Sequence, residues 1–144
     1  MDKRIAAFIS KQTCGNLCCV DEQGNPYCFS FFYSFDEQEV MLYYKSSDDT
    51  KHSAILYKNQ IAAGTILPDK LNFLAIKGIQ FEGEVLGPKY PDTKNASSHY
   101  HKKHPMALVM PGDIWAIRIY RIKFTDNSLG FGKKLMWERI VSGS

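Results

Sequence analysis

Hydroxyl and lysine side chains are concentrated at one junction between a predicted strand and a predicted helix. The residues are Tyr44, Lys45, Ser46, Ser47, Thr50 and Lys51. The first N–H groups of a helix and its dipole favour an anion, to which hydroxyls add donors and lysines add charge. The junction is therefore suited to a phosphate monoester. An ordinary capped helix on a solvated corner explains the same residues, and Asp48 and Asp49 would repel an anion unless they point outward.

Three of the four histidines, His99, His101 and His104, lie in one short stretch beside Lys102 and Lys103. On a helix, His101 and His104 share a face, whereas His99 and His101 do not. A metal site needs convergent ligands and usually a carboxylate, and none is close in the sequence. A solvated, mobile basic helix is therefore favoured over a metal centre.

The last segment contains the run G-F-G-K-K-L-M-W-E-R. Lys133 and Lys134 are cationic, and the ring of Trp137 can stack on a ligand, although packing in a core is the commoner use of Trp. The chain has no Walker motif, nucleophile elbow, zincin helix or Rossmann fingerprint. If the protein is an enzyme, a cofactor is expected to supply the reactivity.

The strand that begins near Tyr27 has the clearest alternation in the sequence. One face carries Tyr27, Phe29, Phe31, Tyr33 and Phe35, and the other carries Cys28, Ser30, Phe32 and Ser34. Period-two alternation places these two sets on opposite sides of a sheet. The pattern fits a barrel strand with one crowded core face, and it equally fits a small face that leaves room for a flat ligand.

Hydrophobic periodicity and turn residues predict nine elements. Helices are expected over 3–12, 48–58 and 90–103, and strands over 17–20, 27–35, 40–45, 61–67, 76–86 and 113–124. Gly15 and Asn16 are expected to end the first helix, and Ser47 or Asp48 to cap the second. The apolar phase of the last strand shifts by one residue, which predicts a bulge near Tyr120 and Arg121. This order favours a small antiparallel barrel over a doubly wound parallel sheet.

Composition limits the class of protein. The chain has 144 residues, 44% of them hydrophobic, which fits one globular domain. A net charge of +3 is too weak to indicate nucleic-acid binding. No apolar run approaches the roughly 18 to 20 residues of a membrane span, and the N-terminal segment does not fit a cleaved secretory signal.

The four cysteines, Cys14, Cys18, Cys19 and Cys28, all lie near the N-terminus. Their spacing differs from that of zinc ribbons, and a chain of this size does not need disulfides to fold. Three or four of them are therefore expected to be small core residues of a reduced, cytoplasmic protein. A redox pair or a metal site is the alternative.

The run from Gly15 to about Gly83 resembles the FMN-binding split barrels of the pyridoxamine 5'-phosphate oxidase-like superfamily. The motifs that carry the resemblance are the hairpin with P-Y-C-F-S-F-F-Y, the strand L-Y-Y-K, the segment S-S-D-D-T-K-H-S and the strand G-I-Q-F-E-G. The tail T-D-N-S-L-G-F-G-K-K-L-M-W-E-R resembles the YhbP-like branch of that superfamily. Together these motifs span nearly the whole chain.

The resemblance implies a mainly β fold, a six-stranded antiparallel split barrel with short peripheral helices. It also implies a homodimer with two FMN molecules in clefts between the subunits. Thr50 and Lys51 match the phosphate-binding pair, and Tyr44, Lys45 and Ser46, with Ser47 after them, match the strand end before it. Residues 30–32, which are Ser30, Phe31 and Phe32, match the strand beside the flavin ring. Gln80 matches a polar position directed at the flavin, and Lys133 and Trp137 match positions that reach the flavin of the partner subunit.

Pyridoxamine-phosphate oxidases end in an Arg-x-His pair that this tail lacks, so the vitamin B6 activity itself is not expected. Thr50 stands where some relatives have Arg, which implies a lower affinity for the phosphate. The leading hypothesis is an FMN-dependent oxidoreductase of unknown substrate. The alternatives are a non-catalytic flavin- or haem-binding module, in which the histidines could be axial ligands, and a barrel that binds single-stranded nucleic acid, which the weak charge disfavours.

Overall fold

The computed structural model describes residues 1–90, 95–130 and 132–140. Its helices are α1 (Lys3–Lys11), α2 (Lys51–Lys58) and α3 (Ala96–Lys103). Its strands are β1 (Cys14–Val20), β2 (Pro26–Phe32), β3 (Ser34–Asp36), β4 (Met41–Ser46), β5 (Ile61–Ile66), β6 (Lys77–Leu86), β7 (Asp113–Asp126) and β8 (Lys134–Glu138). Short 3-10 turns cover Pro105–Val109 and Asn127–Leu129.

The strands form one antiparallel sheet in the order β2-β1-β5-β6-β7-β4-β3, and β8 also pairs with β7. The sheet curls around its core as a half-barrel, which confirms the expected mainly β split barrel. The expected count of six strands is wrong, because the described residues contain eight. The alternating aromatic strand breaks at Tyr33 and continues as β3, and the tail forms β8 against the second half of β7.

The longest strand, β7, contains the predicted bulge. Glu82 pairs with Arg121 but Gly83 pairs with Ile119, so Tyr120 is the extra residue. A bulge bends its strand and increases the local twist. β7 consequently pairs with β4 before this point, as far as Arg118, and with β8 after it.

The core lies on the concave side of the sheet and is closed by α1. Ile5 and Ile9 are completely buried there, and the ring of Phe8 lies 5.1 Å from that of Phe124. This confirms the predicted amphipathic helix. Its end is at Lys11, before β1 begins, and not at Gly15 and Asn16, which are strand residues.

The prediction that three or four of the cysteines are core residues is wrong. Cys19 is buried on the concave side, whereas Cys14 and Cys28 are exposed and Cys18 is half-buried. The physical reason is the strand alternation, which turns Cys14, Cys18 and Cys28 to the other side of β1 and β2. We call that convex side the outer face.

Helix α3 covers the outer face at β4 and β7. Tyr100 is buried in a second small core together with Tyr43 and Ala116. The expected solvated helix is therefore wrong for the face of α3 that meets the sheet. The observed helix α3 begins at Ala96 and not near Tyr90. Residues 91–94 of the expected range lie outside the described residues. Within the described chain, no helix combines the length and the apolar character that crossing a membrane requires.

Candidate functional site

The start of α2 is organised by its capping residue. Thr50, and not Ser47 or Asp48, is the N-cap, because its hydroxyl oxygen accepts a hydrogen bond from the Ser53 N–H at 3.1 Å. The Ser53 hydroxyl in turn donates to the carbonyl of Ser47 at 2.8 Å. These bonds join the end of β4 to the first turn of the helix and hold the junction in one conformation.

The two aspartates at this junction are exposed, and each accepts a neighbouring hydroxyl. The Ser47 hydroxyl donates to Asp49 at 2.6 Å, and the Tyr57 hydroxyl donates to Asp48 at 2.7 Å. The second bond, which stabilises the neutral phenol, raises the pKa of Tyr57 to about 12. Both carboxylates therefore already have hydrogen-bond partners on neighbouring side chains.

The helix start retains hydrogen-bond donors. In the described parts of the chain, no acceptor is bonded to the backbone N–H groups of Lys51 and His52. The Lys51 ammonium lies 4.6 Å from the centre of the Tyr27 ring. Two N–H groups, a helix dipole and a lysine make this corner a suitable site for a phosphate group.

His52 also belongs to this corner, and it is not among the residues that the sequence predicts for the site. Its ring stacks on Phe29 with 3.7 Å between centroids and 7° between planes, and a 2.7 Å hydrogen bond joins its Nε2 to the Ser46 hydroxyl. Burial lowers the pKa of His52, since desolvation disfavours the imidazolium. Its position after Lys51 was visible in the sequence, but its partners come from β2 and β4.

We expect His52 to titrate below the ordinary histidine value of 6.5. The unfolded chain then binds the proton first, so the free energy of unfolding falls as the pH drops below 6.5 towards the folded-state pKa. NMR titration of the imidazole measures this directly, and His52→Gln identifies the resonance. Urea unfolding of His52→Gln should depend less on pH across that window. A titration midpoint above 6.5 would contradict the assigned burial.

Tyr44 supplies an unusual polar atom. Its side chain is completely buried among Phe29, Phe31 and Trp115, and its hydroxyl has no hydrogen-bond partner among the described residues. Burial raises the pKa of this phenol, which keeps it neutral. A buried hydroxyl without a partner is rare and commonly marks a site that a water or ligand completes.

Strand β2 is the edge strand of the sheet, and the candidate residues lie on both sides of it. Tyr27, Phe29 and Phe31 face the core and α2, while Ser30 and Phe32 lie on the outer face. The Ser30 hydroxyl donates to the Asn16 side chain at 2.6 Å. In this register Gly15 of β1 and Phe31 of β2 form a hydrogen-bonded pair. Because such pairs alternate along the ladder, the backbone N–H and C=O groups of Ser30 and Phe32 point to the free edge of the described sheet.

Four candidates lie elsewhere. Lys45 points to the α3 side, where its ammonium donates to the carbonyl of Ala107 at 2.8 Å and lies 3.1 Å from His101 Nε2. Gln80 is on the outer face but three strands from β2, about 14 Å across the sheet. Lys133 is exposed before β8, and Trp137 is half-buried on β8. The prediction that Lys45 lies at the same corner as the rest of the strand–helix junction is therefore wrong, because neighbouring side chains on a strand point to opposite faces of the sheet.

The histidine cluster is used in packing α3. His101 donates from Nδ1 to the Ser97 carbonyl at 2.8 Å, and His104 Nε2 donates to the Tyr33 carbonyl at 2.6 Å. His99 Nδ1 lies 2.9 Å from the Ser34 hydroxyl. Among the described residues, no group of three or more histidine, cysteine or acidic side chains could hold a metal ion.

Sequence comparison identifies close relatives. The UPF0306 protein YhbP of Escherichia coli O127:H6 is 36% identical over 121 residues, which are 84% of this chain and 86% of the relative. The UPF0306 protein YhbP of Salmonella paratyphi B is 40% identical over 121 residues, which are 84% and 82% of the two chains. No model of a known protein family matches the chain.

Structure comparison finds more distant neighbours. A haem-binding protein from Mycobacterium smegmatis has a TM-score of 0.75 at 16% identity, over 91% of this chain and 55% of that one. A FAD-binding protein from Mesorhizobium loti has a TM-score of 0.67 at 15% identity, over 88% and 94%. A protein of the pyridoxinephosphate oxidase family from Clostridium acetobutylicum has a TM-score of 0.65 at 9% identity, over 94% and 92%. At these low identities the TM-scores show a common fold, which confirms the resemblance to split-barrel proteins.

Proposed function

This chain belongs to the UPF0306 family of YhbP proteins, and we propose that it binds FMN and works as a flavin-dependent oxidoreductase. The observation that carries the proposal is the corner at the start of α2. Lys51 lies there with two N–H groups that no described residue accepts from, beside the aromatic side chains of Tyr27 and Phe29 on the edge strand. Phosphate donors next to an aromatic surface fit a flavin mononucleotide.

The residues of the corner would have different roles in binding the cofactor. Lys51 and the N–H groups of Lys51 and His52 would hold the phosphate, which carries close to two negative charges. The conformation of the junction would be fixed by the hydrogen bonds of Ser46, Ser47 and Thr50 with neighbouring side chains and backbone. The free-edge backbone of Ser30 and Phe32 would orient the ring.

When bound, the flavin supplies hydride acceptance and electron transfer. The chain's own contribution is to bind and orient it and to keep water from one side of the edge strand. His52, neutral because burial lowers its pKa, stacks on Phe29 and adds no positive charge to the aromatic side chains of β2. The substrate class is left open by these residues, since none of them is a convincing acid or base.

We also propose a homodimer that works in the cytoplasm, with Lys133 and Trp137 reaching the flavin of the partner subunit. A loop and a short 3-10 turn carry exposed apolar side chains that a second subunit could cover. Phe73 and Leu74 are 98% and 95% exposed, and Met106 and Val109 are 81% and 87% exposed. Exposed apolar groups in runs of this kind commonly mark interaction surfaces. The four cysteines are free, which is compatible with a reducing compartment.

The test is a titration of the purified protein with FMN, followed by flavin fluorescence and calorimetry. We expect saturable binding of one FMN per chain, and a molar mass in light scattering of twice the 16.4 kDa chain. Oxidation of NAD(P)H with a dye acceptor by the loaded protein would support an enzyme. No heat on addition of FMN would overturn the proposal. A shift of the haemin Soret band on addition of the protein, with no binding of FMN, would favour the haem-binding module instead.

A further inference from the structure

Two cysteines face each other across the first hairpin. Cys18 of β1 and Cys28 of β2 are direct partners in the antiparallel register. We propose that Cys18 and Cys28 form a reversible dithiol–disulfide site on the outer face, which exchanges with small-molecule disulfides. The inference rests on the hairpin alone and does not depend on flavin binding.

The position of the pair within the ladder favours a bond between its sulfurs. The Asp21 N–H donates to the Asn25 carbonyl, and the Tyr33 N–H donates to the Thr13 carbonyl. Because hydrogen-bonded pairs alternate along an antiparallel ladder, Cys18 and Cys28 form a pair without ladder hydrogen bonds. Such pairs have Cα atoms about 4.5 Å apart, inside the span of roughly 4.4–6.8 Å that disulfides require.

The same register selects this pair over the other cysteines. Cys14 lies opposite Phe32, and Cys19 lies opposite Tyr27 with its side chain buried in the core. Interaction with the Cys18 thiol raises the pKa of Cys28, as expected for two thiols at one register position. The two sulfurs are therefore neighbours already in the reduced protein.

The pair is also accessible to a small reagent. Cys28 is exposed and Cys18 is half-buried. Cys18 borders an open cavity of about 600 Å³, whose wall includes Ala63 and the ion pair between Arg121 and Glu82. A small aliphatic disulfide can enter a space of this size beside the sulfur.

The reaction balances without an additional oxidant. A thiolate from one cysteine attacks a small disulfide, forms a mixed disulfide and releases one small thiol. The second cysteine, as its thiolate, attacks the protein sulfur of the mixed disulfide and releases the other small thiol. The protein loses two protons and two electrons, and the small disulfide gains them as two thiols. Excess reduced thiol drives the same steps backwards.

The experiment treats the full-length protein with oxidised glutathione at mildly alkaline pH, where more thiolate is present. We expect the mass to fall by about 2 Da, and the number of free thiols to fall from 4 to 2. The melting temperature should rise by about 5 °C, because the bond constrains the unfolded hairpin. Reduced glutathione should restore all three readings. In the oxidised protein, cleavage after Glu22 and Glu37 leaves the Cys28 peptide joined to the peptide that contains Cys14, Cys18 and Cys19, and tandem mass spectrometry of the joined peptides identifies which of the three is the partner.

Cys14→Ser is the matched control, since Cys14 is an exposed cysteine on the same strand and should leave the reaction unchanged. Cys28→Ser and Cys18→Ser should instead keep one glutathione on the remaining thiol. Should either variant fail to fold, the mass and the peptide link of the wild-type protein still decide. A wild-type protein that shows no reaction, stops at the mixed disulfide, or links a different pair of cysteines would overturn the proposal.

Discussion

Replacing Lys51 with Ala is expected to weaken FMN binding by about 10- to 150-fold, the effect of losing a charged hydrogen bond worth about 1.5 to 3 kcal/mol. The lysine begins α2, where the helix dipole and two N–H groups that have no partner among the described residues also favour the phosphate. These groups remain in the variant, so binding should weaken without being abolished. Quenching of flavin fluorescence on titration gives the dissociation constants of both proteins.

Riboflavin separates the phosphate corner from the ring site, because it has the same ring system and no phosphate. Its affinity should be the same in wild type and Lys51→Ala. Lys58→Ala is the matched protein control, since Lys58 ends the same helix and pairs with Glu22 at 2.7 Å. It should bind FMN like wild type. Equal FMN affinity in wild type and Lys51→Ala would show that the phosphate does not lie at α2.

A large effect on stability is expected for Gly64→Ala, which should reduce the free energy of unfolding by about 3 kcal/mol. Gly64 lies in β5, between β1 and β6. A Cβ atom there would meet the backbone carbonyl of Asn16 and the ring of Phe81. The carbonyl belongs to a paired strand and cannot move away without breaking the ladder. A fall in melting temperature of about 10 °C is the corresponding thermal result.

Gly78→Ala is the control for this prediction. A Cβ atom at Gly78 would lie 3.5 Å from the Leu67 side chain, which is ordinary van der Waals contact. Chemical denaturation of the two variants should therefore give clearly different midpoints, with Gly78→Ala close to wild type. Similar losses in both variants would mean that Ala at a strand position is itself costly, and that the close approach at Gly64 is not the cause.

The junction between β4 and α2 shows how much of the candidate site can be predicted from the local sequence pattern. A strand, two serines, a threonine and a lysine could be assigned to a strand end and a helix start from their order alone. Thr50 and Lys51 are indeed the N-cap and first residue of α2. The proposed cap at Ser47 or Asp48 was wrong, since these residues form the turn whose carbonyl and carboxylate bond to Ser53 and Tyr57. Which of several capping residues is used depends on those partners.

His52 and the two cysteines show where local pattern ends. The stacking of His52 on Phe29 joins residues that are far apart in sequence, and only the return of α2 towards β2 brings them together. The cysteines could be counted, but their register across the hairpin decides that Cys18 meets Cys28 and that Cys19 faces the core. A shift of one residue in that register would reverse the faces.

The amino-acid order by itself determined the elements with strong periodicity: the amphipathic α1, the alternating β2 and β6, and the bulge near Tyr120. Alternation and helical spacing are properties of neighbouring residues, so they can be recognised before any contact is known. The tertiary structure decided the eighth strand, the covering of the outer face by α3 and the buried Tyr44 hydroxyl. These features depend on which distant segments pair and pack, and that choice is made by the burial of the whole sheet and not by any one segment.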